Sequence, residues 1–410
     1  MGEPLVIVGN GMAATRLVDE LTTIAPGRFS IAVVGDEPSL SYNRVLLSSL
    51  LAREIDEDAV ELKAAKWWRS RGVTLVYGRR AVSIDRGAKQ LHLQDGLTLG
   101  YGKLVLATGS EAVRLPLPGA DLPGVVTFRD KADVARMLSL ARPGARAVVI
   151  GGGLLGLEAA YGLMKAGAHV SVVHLMERLM ERQLDSHAAG LLKAALEERS
   201  IDVVLNAESD AIEGQGRVTG LRLKDGRVLP ADLVVMAVGI RPNTGLAREA
   251  GLAFKRGIVV ADDLQTSDPS VYAIGECAEH RGVCYGLVEP AYEQARVLAR
   301  TLAGAQSHYA GSLLSTNLKV SGVNVFSAGD FLGAPGSEPI VLTDPDRKCY
   351  RKLVLSGGRL TGAVLVGDTG DALWYLDLIR TGRPVEKLRA DLVFGRAFAE
   401  PQAHAQARAA

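Results

Sequence analysis

"LVIVGNGMAATRLVDEL" (residues 5–21) runs from a short apolar stretch through a glycine-rich turn into a segment with apolar residues at helical spacing. Gly9-Asn10-Gly11-Met12-Ala13-Ala14 fits the pattern G-x-G-x-x-[GA] between a strand and a helix. In such a turn the first glycine allows the tight bend and the second lets backbone amides approach a pyrophosphate. The small last residue lets helix pack on strand. A lone match of this kind is weak, so the rest of the chain has to carry the fold.

The chain carries the unit twice. "AVVIGGGLLGLEAAYGL" (147–163) repeats strand, glycine turn and helix, with Gly151, Gly153, Leu154, Leu155 and Gly156 at the turn. Further on, "DGLTLGYGKLVLATGS" (95–110) lines up without gaps on "DGRVLPADLVVMAVGI" (225–240), matching Asp95 to Asp225 and Gly109 to Gly239. Each copy is a D-G turn, a hairpin strand and a buried apolar strand ending in glycine. Strands alternating with helices predict parallel, doubly wound sheets. The expected fold is α/β, with two Rossmann-like dinucleotide-binding domains. From about Leu318 the texture changes to alternating, glycine-punctuated strands and a helix "ALWYLDLIRTG", which predicts a C-terminal α+β domain. The boundaries follow as 1–112 with 241–315 for the first domain, 113–240 for the second and 316–398 for the third. Residues 399–410 read as a flexible tail.

The totals narrow the function. The 410 residues hold 47 Lys+Arg against 46 Asp+Glu, which argues against nucleic acid or an anionic membrane surface as the main partner. The three cysteines, Cys277, Cys284 and Cys349, form no C-x-x-C pair and no metal-type cluster. No metal site is expected. The N-terminus enters "PLVIVGNG" at once, with no basic region before a long apolar core, so a cytoplasmic chain without a membrane span is expected.

The strand after the first turn, "FSIAVVGDE", ends in Asp36 and Glu37, either of which could accept hydrogen bonds from a ribose. Its counterpart in the second unit, "VSVVHLMERLM" (170–180), has His174 at the strand end. Two dinucleotide sites in one chain suggest that one ligand is held permanently while the other exchanges.

"VIVGNGMAATR", "SYNRVLLSS", "LVLATGS", "VIGGGLLGLEAA", "VGIRPN", "SDPSVYAIGECA" and "GAVLVGDT" together resemble the FAD-dependent pyridine nucleotide oxidoreductases with the glutathione-reductase-like fold. Within them, the chain is most similar to the flavin-containing half of NAD(P)H-dependent nitrite reductase large subunits. It is equally similar to the electron-transfer subunits of assimilatory nitrate reductases. The resemblance implies FAD on the first turn, at Gly9, Gly11, Met12, Ala13 and Ala14, with Asp36 or Glu37 at the ribose. Arg44 would lie along FAD, Arg80, Ala81 and Val82 would meet the adenine, and Ala107, Thr108 and Gly109 would close the returning strand. Gly275 and Glu276 match the second FAD motif, with glutamate in place of the more usual aspartate to receive the ribityl hydroxyls. Leu287, Val288 and Pro290 would pass near the flavin ring, and Lys319 would place a positive charge at its pyrimidine end. NADH or NADPH would bind the second turn and Gly239. Simpler roles stay open: Arg44 as an ion pair, Lys319 as an exposed strand residue, and Tyr42 and Tyr292 as core packing.

Related reductases place a carboxylate near the nicotinamide, commonly facing a lysine. Here Glu158 takes that position and Ser49 stands where the lysine would be, so an orienting role is expected, or that of an ordinary helix glutamate. The paired cysteines of disulfide reductases are missing from residues 38–60. Electrons are therefore expected to leave singly, for an iron-sulfur or haem-type redox protein. Nitrite reductase large subunits continue into iron-sulfur and sirohaem segments, so a chain ending at Ala410 is not expected to reduce nitrite unaided. The expected activity is NAD(P)H oxidation through FAD in support of an assimilatory nitrate or nitrite reductase. A rubredoxin or ferredoxin reductase and a redox-responsive flavoprotein binding module are the alternatives. An acid at His174 would repel a 2′-phosphate, whereas a neutral histidine with Arg178 and Arg182 nearby would tolerate one. Weak discrimination in favour of NADH is expected. His174→Glu should sharpen it, and an unchanged NADH to NADPH ratio in steady-state rates would remove His174 from the site.

Overall fold

The computed structural model describes residues 2–320 and 322–400, without the side chains of 318–320. The first unit builds a parallel five-stranded sheet. Its order is Thr74–Tyr77, Phe29–Gly35, Glu3–Val8, Lys103–Leu106 and Val271–Ala273. The second unit builds the same sheet again from Ile201–Val204, His169–Val173, Arg146–Ile150, Leu233–Met236 and Val125–Thr127. In both, the inner strand is apolar on both faces because helices cover one side and a three-stranded antiparallel sheet the other, and Leu5, Val6, Ile7 and Val8 are at most 5 % exposed. The edge strand differs in origin: Val271–Ala273 follows its unit in the chain, whereas Val125–Thr127 precedes the one it joins.

The repeat holds at the level of turns. Gly9 has φ +113°, and a Cβ there would lie 2.0 Å from the Ala107 carbonyl oxygen. Gly151 has φ +120°, and a Cβ there would lie 2.3 Å from the carbonyl oxygen of Ala237. Only glycine fits either place. The D-G turns at 95–96 and 225–226 lead in each copy to the last strand of a three-stranded antiparallel sheet, Thr98–Gly100 or Val228–Pro230. Helix Met12–Ile24 buries Ala14, Leu17, Val18 and Leu21, an i, i+3, i+4, i+7 stripe, and packs along helix Val288–Leu302. Helix Leu154–Lys165 buries Gly156, Leu157, Ala159, Ala160 and Leu163.

The chain crosses between the two units twice. Ser110–Ala112 and Ile240–Pro242 pair antiparallel in a two-stranded ribbon. "SYNRVLLSS" also reaches across: Leu47 and Leu51 share a buried cluster with Leu157 and Leu163, and Gly162 gives Leu51 the room it needs.

The third region is an antiparallel sheet ordered Ser315–Val320, Val323–Gly329, Arg359–Val366, Cys349–Ser356 and Glu338–Asp344, followed by helix Ala372–Thr381. Alternation decides its two faces. Val325, Val364 and Val366 pack into the second unit, while Phe326, Ala363 and Leu365 pack against the sheet's own helix. Strand Glu338–Asp344, at the sheet edge, has no fully buried residue although it carries the apolar run Ile340-Val341-Leu342. Ala399 ends a short helix and Glu400 pairs with Arg383 and Arg396, so the order extends two residues into the expected tail. Residues 401–410 lie outside the described residues, as does the side chain of Lys319.

A Cβ on Gly156 would lie 1.9 Å from the Gly151 carbonyl oxygen, a backbone atom that cannot step aside. Gly156→Ala is therefore expected to cost about 1–3 kcal/mol in urea unfolding. Gly153→Ala, with nothing within 4 Å of the added Cβ, should cost less.

Candidate dinucleotide sites

Both glycine turns end at uncapped helix N-termini. Gly11 and Gly153 are the N-cap residues, neither makes a side-chain cap, and neither first turn holds an acid. A Cβ on either would meet nothing within 4 Å, so open space faces the free amides. That combination is a cradle for an anion: unpaired N–H donors, the positive end of the helix dipole and no competing carboxylate. Asn10 adds a buried Oδ1 without a partner among the described residues.

Around the first turn the structure gathers residues from distant parts of the chain. Gly275, at φ +80°, sits where the two long helices converge, its Cβ position 3.2 Å from the Ala13 Cβ and 4.0 Å from that of Ala291. Its amide donates to the Gln294 Oε1 at 2.7 Å. Leu287 caps the helix that begins at Val288, and Pro290 is buried in its first turn. Thr108 donates its hydroxyl to the Asn243 carbonyl at 2.8 Å, and the Asn243 amide returns to the Gly109 carbonyl at 2.9 Å. Gly109 and Gly239 thus flank the paired crossing, where the Val113 amide donates to the Gly239 carbonyl at 3.0 Å.

Glu276 is held by a residue the sequence reading did not single out. Arg129, just beyond strand Val125–Thr127 of the second unit, forms an ion pair with Glu276 Oε2, and the Ser110 hydroxyl donates to the same oxygen at 2.7 Å. Oε1 is left without a partner among the described residues, as a hydroxyl donor would need. The arginine follows a buried strand in the sequence, but its partner lies across the domain boundary and leaves no local signal.

The choice between Asp36 and Glu37 narrows. Glu37 has both oxygens engaged, Oε1 by Arg44 and Oε2 by the Tyr42 hydroxyl at 2.6 Å. Asp36 is exposed, with Arg80 Nη2 at 3.4 Å, and the Arg79 amide donates to the Gly35 carbonyl at 3.0 Å. Residues 79–82, Ala81 and Val82 included, therefore run beside Asp36. Arg44 also donates to the Arg129 carbonyl at 2.9 Å, so it is an internal tie between the units as well as an ion pair. Tyr42 is buried, as core packing requires, and its phenol is pushed up by burial. Tyr292 is half-buried under Arg16, whose guanidinium lies 5.6 Å from the ring centre.

At the second turn His174 is only 8 % exposed. Its Nδ1 accepts the Gly152 amide at 3.0 Å, and its Nε2 lies 3.1 Å from Glu181 Oε2. Arg178 is tied down, with Nη1 on Glu177 at 2.9 Å and Nε donating to the Leu184 carbonyl at 3.3 Å. Both His174 and Arg178 thus have protein partners. A carboxylate in place of His174 would stand beside Glu181, so His174→Glu would add repulsion rather than a clean recognition group.

Residues 3–298 match the profile of the pyridine nucleotide-disulphide oxidoreductases, and residues 315–383 that of the rubredoxin NAD+ reductase C-terminal domain. The chain is 47 % identical over 377 residues to a nitrite reductase [NAD(P)H] of Bacillus subtilis, covering 92 % of this chain and 47 % of that protein. It is 40 % identical over 390 residues to the assimilatory nitrate reductase electron transfer subunit of the same organism, covering 95 % and 51 %. Among solved structures, the covalent putidaredoxin reductase–putidaredoxin complex matches with a TM-score of 0.88 at 28 % identity over 100 % of this chain and 99 % of that one. The chain belongs to the pyridine nucleotide-disulphide oxidoreductase family. It spans about half the length of these two Bacillus relatives.

Members of this oxidoreductase family bind FAD and NAD(P)H, and the two uncapped turns fit that pair of dinucleotides. What this member lacks is the disulphide of the family name, since its three cysteines lie at 277, 284 and 349. Cys277 is buried, its thiol against the carbonyls of Leu106 and Ile274.

Glu158 lies on helix Leu154–Lys165, one turn before the point where Leu51 crosses at Gly162, so the short helix carrying Ser49 packs over the helix carrying Glu158. No hydrogen bond or ion pair holds its carboxyl among the described residues. Burial alone pushes its pKa up from 4.5 to about 7. The sign of the consequence is set by that rise. The unfolded chain releases this proton near pH 4.5, while the native protein keeps it to about pH 7. A stability cost therefore grows across that window and is full above it. Glu158→Gln should stabilise the protein above pH 7 by on the order of 2–3 kcal/mol and leave it unchanged below pH 4.5, read from urea unfolding against pH.

Proposed function

We propose that this chain takes a hydride from NADH onto FAD and passes the electrons to an assimilatory nitrate or nitrite reductase in the cytoplasm. The observation that carries the reading is the pair of uncapped glycine turns on two five-stranded parallel sheets, in a chain without paired cysteines. The 47 % and 40 % identities to a nitrite reductase and to a nitrate reductase electron transfer subunit support the choice of acceptor. No described helix is long and apolar enough to cross a membrane.

Residues 1–112 with 241–315 would hold FAD, 113–240 the nicotinamide nucleotide, and 316–398 would form the third domain. The amides after Gly9 and Gly11 would hold the FAD pyrophosphate, Asp36 the adenosine ribose, and Glu276 Oε1 a ribityl hydroxyl. The free amides after Gly153 would hold the nicotinamide dinucleotide. Bound FAD supplies acceptance of an electron pair and its release one electron at a time. The chain's own contribution is to stack the two nucleotides, exclude water and hold a proton on Glu158 up to about pH 7 beside the nicotinamide path. With no lysine facing it, a protonated Glu158 donates a hydrogen bond where a carboxylate would bring charge.

The match of residues 315–383 to the rubredoxin NAD+ reductase C-terminal domain favours a second reading, a reductase for rubredoxin or ferredoxin. Anaerobic titration of the flavin-loaded protein separates the two. NADH should bleach the flavin band, and a nitrate reductase catalytic subunit should restore it faster than rubredoxin does. Faster recovery with rubredoxin would select the second reading, and a purified chain that retains no flavin would sink both.

A further inference from the structure

The two dinucleotide turns are equivalent in backbone but not in where an acid can stand. Val8 pairs with Val34 and Ile150 with Val173. The next amide donates to that partner's carbonyl in both units, Gly9 to Val34 at 2.7 Å and Gly151 to Val173 at 2.8 Å. Gly35 therefore corresponds to His174, and Asp36 to Leu175. The same small space is filled from opposite sides. A Cβ on Gly35 would lie 2.7 Å from the Asn10 Cβ, whereas a Cβ on Gly152 would lie 2.6 Å from the His174 ring. In the first unit the turn supplies the side chain and the strand end is left free to present Asp36. In the second the strand end is filled by His174, and the next residues, Leu175 and Met176, are apolar and 59 % and 45 % exposed. The second strand thus offers no acid of its own.

One carboxylate nevertheless reaches the turn. With Nδ1 accepting the Gly152 amide, the His174 ring carries its proton on Nε2, which faces Glu181 Oε2. Glu181 Oε1 has no partner among the described residues, and the side chain is 27 % exposed. The segment bearing it is fixed at both ends. The Met180 amide donates to the Gly152 carbonyl at 3.0 Å. Asp185 caps the following helix through the Ala188 amide at 2.9 Å and is held from the third region by the Tyr350 hydroxyl at 2.8 Å and by Lys352 at 3.5 Å.

We propose that Glu181, aligned by His174, is the carboxylate that reads the adenosine ribose of the nicotinamide nucleotide and selects a free 2′-hydroxyl over a 2′-phosphate. Oε1 accepts from the hydroxyl, and the same negative charge repels a phosphate. His174 is a positioning residue: it spends one ring nitrogen on the glycine turn and the other on the acid, so turn and acid move together. This inference rests on the reading of the second turn as the nicotinamide site.

Calorimetric titration of the flavin-loaded protein with NAD+ and with NADP+ tests it. Wild type should prefer NAD+, and Glu181→Gln should narrow the ratio of the two affinities by roughly tenfold or more, the worth of a hydrogen bond to a charged acceptor. His174→Asn can still accept the Gly152 amide but cannot reach Glu181, and should narrow the ratio by less. Glu197→Gln, on an exposed acid of the following helix paired only with Lys193, should leave the ratio as it was. An unchanged ratio in Glu181→Gln, or an equal change in Glu197→Gln, overturns the proposal. Should Glu181→Gln fail to retain flavin, Glu181→Asp keeps the charge and withdraws it by one methylene, and an unchanged ratio there overturns it equally. A wild-type chain that binds neither nucleotide would defeat the reading of the site itself. Binding of both with a ratio indifferent to residue 181 would defeat this inference alone.

Discussion

The bend at Gly9 passes so close over the Ala107 carbonyl that the missing Cβ would sit 2.0 Å from its oxygen, and Gly151 bends over Ala237 in the same way. This contact fixes more than a turn. The strand ending at Leu106 must lie beside the inner strand, with the next carbonyl, that of Ala107, directly beneath the bend, and the register Val8 to Leu106 puts it there. Within five residues of that carbonyl, 110–112 in one unit and 240–242 in the other form the paired crossing between the units. The place where each anion cradle forms is therefore also the place where the two domains are joined.

Charge then sets how the joined domains face each other. Arg129 leaves the edge of the second sheet and pairs with Glu276 in the first unit, while Arg44, paired with Glu37, donates to the Arg129 carbonyl. The arginines are 29 % and 17 % exposed at Arg44 and Arg129, so the pairs are only partly screened by water. Removing one member would leave its partner half-buried and uncompensated, which costs more than an exposed ion pair is worth. Because the same carboxylate is the one proposed to receive a ribityl hydroxyl, domain orientation and the proposed cofactor contact would share one side chain. A reductase that must bring two flat rings into stacking distance gains from that sharing, since small errors in orientation are costly in rate.

What could be read from the sequence follows a physical division. Periodicity and glycine placement are local, so the two turns, the D-G hairpins and the helix at 372–381 were legible, as was the alternation of the third sheet. Side-chain pairing across domains is not local. Arg129 to Glu276, His174 to Glu181 and the engagement of Glu37 by Arg44 and Tyr42 each need the folded chain. His174 is the instructive case. Counting from the glycine turn put it where an acid is expected, but register makes it the counterpart of Gly35, and its bulk is accommodated because the turn has glycine at 152 where the first unit has Asn10.

The third region belongs to this logic more than its different texture suggests. Along strand Cys349–Ser356, Tyr350 points to the second unit and Arg351 to the opposite face, as the period of two demands. Arg351 is 7 % exposed and is satisfied by Asp368, Asp371, the Tyr375 hydroxyl and the Val393 carbonyl, which ties the helix and the C-terminal turns to the sheet. Tyr350, one residue earlier, donates to Asp185 at 2.8 Å. Asp185 closes the segment that begins at His174 and holds Glu181. The sheet therefore buttresses the second glycine turn from behind: its apolar face supplies the packing, Tyr350 and Lys352 supply the polar anchors, and Arg351 keeps the strand that bears them from shifting. A motion of the third region along that strand would have to move Asp185, and with it the segment that bears Glu181.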